Sequence, residues 1–150
     1  MALLDLYDWA IPSKSEFLSR FSHNEGQYNQ ALRFWDGLED VGLVLVIVCL
    51  FCSIFPAVFY YTGFNNMSGR HYKPKYWWIF FGIVFLFVLV FSFGGEYFLI
   101  GSNLSKMDGA TSMLIKLASV NALYAAMVYL IISFVWCNFL STNAYRYLKF

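Results

Sequence analysis

The chain has 150 residues, of which 60% are apolar and 22% aromatic, while only 13% are charged. Soluble domains carry about 25% charged residues, so this composition argues against an ordinary water-soluble globule. A net charge of +1 gives no global case for nucleic-acid binding. Seven of the nine acids lie in the first forty residues, and after Asp40 only Glu96 and Asp108 remain.

Residues 1–40 read as an acidic, amphipathic preface. The opening MALLDLYDWAIPSKSE has no basic n-region and no sustained apolar core, so it does not match a secretory signal. It carries no myristoylation motif, and the final YRYLKF is not a prenylation box. Membrane attachment is therefore expected from internal spans. Pro12 ends whatever precedes it, and Ser13-Lys-Ser-Glu16 is a capping-box pattern that predicts a short helix. His23-Asn-Glu-Gly26 reads as a turn. Tyr28, Ala31, Leu32, Trp35 and Leu38 then fall at helical spacing, which predicts a second helix that lies in the membrane interface or packs on a partner.

Residues 41–63 predict the first transmembrane helix, uncharged, with a kink at Pro56. Cys49, Ser53 and Ala57 are four apart and form a small-residue row that admits a close helix neighbour. Cys49-Leu-Phe-Cys52 is formally C-x-x-C, but without a second ligand pair it reads as small apolar residues one turn apart. Residues 64–76 form a short basic loop with Asn65 and Asn66 as turn formers. Residues 77–101 predict the second span. As a helix this stretch is roughly 37 Å long, against about 30 Å for the hydrocarbon core of a bilayer. Tyr76, Trp77 and Trp78 mark its entry as interface anchors. Residues 112–140 predict the third span, where Ala118, Ala122 and Ala126 make a second small-residue row.

The expected fold is an all-α integral membrane protein of one domain: the preface at 1–40, then a three-span bundle at 41–150. Arg70, Lys73, Lys75, Arg146 and Lys149 flank one side of the spans and outnumber Arg33, Lys106 and Lys116 on the other. That imbalance favours the N-terminus outside and the C-terminus in the cytoplasm. The expected location is a cell membrane, a bacterial inner membrane in particular.

Glu96 is the one acid inside a predicted span, and intramembrane ionisable groups are functional candidates by default. Gly94-Gly95 allows a neighbour to approach it. Lys116 lies a similar distance along the third span from the same side, so an ion pair between Glu96 and Lys116 is expected. Asn121 lies about 140° around the helix from Lys116. The basic face of Arg70, Lys73, Lys75, Arg146 and Lys149, with His71 beside it, could bind anionic lipid or an acidic partner. No His/Cys/carboxylate spacing for a metal appears, no cofactor is implied and no catalytic motif such as G-x-S-x-G is present. The expected function is a non-catalytic membrane subunit that anchors or assembles a larger complex, with the bilayer and other membrane subunits as partners. The alternative is a small oligomeric ion- or proton-conducting, or ion-coupled, protein that uses Glu96.

Overall fold

The computed structural model describes residues 7–66, 74–101, 104 and 107–140. Among these the chain is 86% helix with no strand. Four α-helices occur in order: α1 (Lys14–Ser19), α2 (Glu25–Thr62), α3 (Pro74–Ile100) and α4 (Ala110–Val135). A 3-10 turn at Phe64–Asn66 follows α2, and a π-helical turn at Trp136–Leu140 follows α4. The last three α-helices are long and apolar enough to cross a membrane.

Local chemistry sets the helix ends. The Ser13 Oγ accepts a bond from the Glu16 amide at 3.3 Å, which is the cap expected for α1. Asn24 Oδ1 accepts from the amides of Gly26 and Gln27 at 3.0 and 3.3 Å, so the predicted turn is the cap of α2. Pro74 opens α3, where a missing N–H costs nothing. Gly101, with φ +107°, ends it in the left-handed region that glycine occupies freely.

The largest departure from the sequence reading is in α2. An interfacial helix and a separate first span were expected; the structure joins them in one 38-residue helix. Its buried positions, Ala31, Phe34, Trp35, Leu38, Leu45, Cys49, Ser53, Ala57 and Tyr60, keep helical spacing straight past Glu39 and Asp40. Acids on the opposite face do not interrupt a buried stripe. The helix also runs on through Pro56.

The chain divides into two compact units, and each long helix contributes a segment to both. The first unit holds the described residues of Met1–Ile47 with Leu89–Asn121. The expected preface therefore belongs to the same unit as the Glu96 end of α3. Phe17 of α1 packs on Phe34 and Trp35 of α2, with ring centroids 5.6 and 5.9 Å apart. Lys14 Nζ binds Asp36 at 3.0 Å and approaches Glu39 at 3.8 Å. The bond to Asp36 holds the Lys14 ammonium above the ordinary lysine range. All three side chains are half-exposed, so the pairing contributes about 1 kcal/mol at most.

The second unit holds the described residues of Val48–Val88 and Ala122–Phe150. Its centre is aromatic. The Trp77 indole N–H points to the Tyr61 and Ser133 hydroxyls at 3.1 and 3.2 Å. The Trp77 ring stacks on Phe81 at 5.5 Å and meets Tyr129 at 5.6 Å. Trp77 is a core residue at 2% exposure, while its neighbour Trp78 is 53% exposed. One helical step of about 100° separates them and turns only one indole outward.

A candidate proton site around Glu96

Glu96 lies on α3, one turn before Ile100, and is 3% exposed. Its carboxyl ends a chain of hydrogen-bond donors drawn from three parts of the first unit. The Tyr7 hydroxyl donates to Asn121 Oδ1 on α4. The Asn121 amide nitrogen donates to Ser92 Oγ at 2.7 Å and lies 3.4 Å from Glu96 Oε1. Ser92 Oγ, one turn before Glu96 on α3, donates to the same Oε1 at 2.9 Å. Tyr7, Ser92, Glu96 and Asn121 are all buried. A polar group removed from water needs such partners, because burying one unpaired costs several kcal/mol.

The second carboxyl oxygen is different. Among the described residues, Glu96 Oε2 is buried with no hydrogen-bond partner. Glu96 also lines a cavity of about 10 Å³ together with Tyr7, Leu38, Val41, Gly42, Leu45, Leu117 and Asn121. That is close to the smallest volume that holds one water molecule, about 10–15 Å³. The walls are otherwise aliphatic, so the polar atoms at the cavity are those of the donor chain.

The structure does not bring Glu96 and Lys116 together. Lys116 is exposed on α4, and the ion pairs among the described residues are Lys14–Asp36, Lys14–Glu39 and Arg20–Glu16. The rotation that separates Asn121 from Lys116 explains this. Placing Asn121 against Ser92 and Glu96 turns Lys116 outward. Gly94-Gly95 serves differently from expectation. Space beside Gly94 is open, and a Cβ on Gly95 would meet Leu45 Cδ2 at 2.9 Å. Gly95 thus admits a leucine that lines the cavity, not a neighbouring backbone.

Of the expected basic face, Lys75 is exposed, with its ammonium 5.1 Å from the Tyr76 ring centroid. Arg70, His71, Lys73, Arg146 and Lys149 lie outside the described residues. Asn65, expected as a turn former of that loop, lies in the 3-10 turn after α2 and is buried. Both small-residue rows, Cys49–Ser53–Ala57 and Ala118–Ala122–Ala126, are buried within the chain. Among the described residues no group of three His, Cys, Asp or Glu side chains is placed to hold a metal ion. Two open grooves, of about 520 Å³ around Phe55 and Phe87 and about 330 Å³ around Phe93 and Ile115, are almost wholly apolar. They offer nothing to orient a reactant.

Sequence reading missed Tyr7 and Ser92 as members of the site. Tyr7 lies in what reads as a surface preface, and Ser92 is one of many small residues in a span. The one legible signal was the i, i+4 spacing of Ser92 and Glu96, which sets them on one helix face. The fold and site together define an all-helical protein with three membrane-length helices and a buried carboxyl network. No protein-family model, curated protein or solved structure matches the chain.

Proposed function

We propose that the chain is an integral membrane protein of the ion-coupled class, in which Glu96 takes up and releases a proton. The membrane part of this reading rests on an inverted distribution of polarity. Ser53, Ser92, Glu96, Asn121 and Ser133 are buried, while Phe55, Val90, Phe98 and Phe139 are at least 70% exposed. Water would penalise that arrangement heavily, and lipid favours it. With three spans the ends lie on opposite sides, and the basic residues at 70, 73, 75, 146 and 149 favour a cytoplasmic C-terminus.

The observation that carries the functional reading is a buried carboxyl whose Oε2 has no hydrogen-bond partner among the described residues, on a residue that lines a cavity of about 10 Å³. A metal cation needs several oxygen ligands. Here Asn121 Oδ1 already accepts from Tyr7, and the remaining walls are leucine, valine and glycine. A proton carried by one water needs only the carboxyl. For the anchoring or assembly reading, the two small-residue rows supply no free packing surface, because all six residues are buried within the chain.

A lipid-soluble carbodiimide tests the proposal, since it adds to a protonated carboxyl in an apolar site. In proteoliposomes the expected product is one adduct per chain, mapped by mass spectrometry to the peptide bearing Glu96 and absent in Glu96→Gln. An unmodified Glu96 would contradict the proton site.

A further inference from the structure

We propose that Tyr7 is the gate of the Glu96 site, closing it from the acid-rich face of the chain. The inference rests on the proton reading of Glu96 and adds the route by which the proton arrives. Tyr7 lies ahead of the four α-helices, at a 3-10 position. It sits in a turn closed by the amides of Ala10 and Ile11, which both donate to its carbonyl, at 2.7 and 3.0 Å. Its ring is buried in the first unit and lines the same small cavity as Glu96. Its hydroxyl is the outermost donor of the chain that ends on the carboxyl.

The surroundings of Tyr7 give the direction of access. Asp8, next in sequence, is exposed. On α2 the cavity is lined by Leu38 and by Val41, and the two residues between them, Glu39 and Asp40, are both exposed. The cavity wall is therefore one helix thick at this level, with carboxylates on its outer side. A cluster of acids raises the local concentration of protons at such a mouth. Gly42, which also lines the cavity, contributes no side chain. The element that moves in this proposal is the part of the chain ahead of α1 that carries Tyr7, described over residues 7–13. Packing of Phe17 on α2 and the Lys14–Asp36 pair hold α1 itself in place, so the Tyr7 turn can swing out about Pro12 without unfolding a helix. Withdrawal of Tyr7 releases Asn121 Oδ1 and joins the cavity to water.

The test uses two carbodiimides on the full chain in proteoliposomes, one lipid-soluble and one water-soluble. The lipid-soluble reagent reports whether Glu96 is a reactive acid at all. The water-soluble one reports whether the aqueous route is open, with adducts on exposed Glu39 and Asp40 as internal standards. In the wild type, water-soluble labelling of Glu96 is expected to be low. It is expected to stay low in Tyr7→Phe, which keeps the ring, to rise in Tyr7→Leu and to rise at least tenfold in Tyr7→Ala. Circular dichroism identifies any variant that has lost its helices; if Tyr7→Ala does so, Tyr7→Leu decides. Unchanged water-soluble labelling in the smaller variants, with lipid-soluble labelling intact, would overturn the gate and leave the proton site standing. Loss of lipid-soluble labelling in the wild type would overturn both.

Discussion

Asn121→Leu destabilises the chain by several kcal/mol, whereas Glu96→Gln changes its stability by about 1 kcal/mol or less. The difference follows from what each side chain does in the network. Asn121 accepts from Tyr7 and donates to both Ser92 and Glu96. Leucine has similar bulk but leaves the Tyr7 hydroxyl without the acceptor that Asn121 supplies and takes a donor from the carboxyl. Each buried polar group stranded in this way costs about 1–3 kcal/mol. Glutamine at position 96 keeps a carbonyl oxygen where Oε1 now accepts from Ser92 and Asn121, so the donor chain still has an end. What it removes is the ionisable carboxyl. Thermal loss of helicity in detergent measures both variants against the wild type. Equal stability of Asn121→Leu and wild type would mean that the network is not what ties the Tyr7 segment to α3 and α4.

Trp77→Ala has the largest expected effect in the second unit, about 3–5 kcal/mol, the usual range for removing a buried large aromatic side chain. Trp77 fills the space among Phe81, Tyr129 and Trp78, and its indole N–H serves two hydroxyls. Truncation opens a cavity and leaves the Tyr61 and Ser133 hydroxyls without that donor. Trp77→Phe retains most of the ring contact and loses only the bonds, so about 1–2 kcal/mol is expected. Trp78→Ala, on the exposed side of the same turn, should cost much less than either. The same unfolding measurement ranks the three. A cost for Trp78→Ala equal to that for Trp77→Ala would contradict the assignment of the anchoring role to the buried indole alone.

The order of these effects shows which parts of the molecule were legible in its sequence. The three long apolar helices were, because apolar length is a one-dimensional property. The boundary inside α2 was not. Asp36, Glu39 and Asp40 look like the end of an interfacial helix, yet they occupy the faces opposite the buried stripe of Phe34, Trp35, Leu38 and Leu45. Glu96 was legible as the lone acid in a span. Its partners were not, because they depend on how α4 is rotated. Equal distance from the loop made Lys116 look like a partner, and rotation about the helix axis put Asn121 there. Tyr7 was the least legible. Nothing near it in sequence resembles a site, and its role arises from a turn that carries its ring into the first unit.

The small-residue rows suggest surfaces awaiting a second protein, but all six residues are used inside the chain. Among the described residues, what remains outside is mostly large and apolar, a surface that lipid would cover on the reading proposed above. The polar exception is the carboxyl network of the first unit, where Glu96 lines a cavity of about 10 Å³, one of its oxygens is bonded and the other has no partner among the described residues.

The infrared spectrum of that carboxyl tests the central claim most directly. A protonated glutamic acid in an apolar site gives a carbonyl stretching band separate from those of the amides and of ionised carboxylates. In reconstituted protein the account predicts one such band that grows and fades with pH, shifts on exchange into heavy water and is missing in Glu96→Gln. A wild-type spectrum with no titrating carboxylic band, or one that Glu96→Gln leaves unchanged, would contradict it.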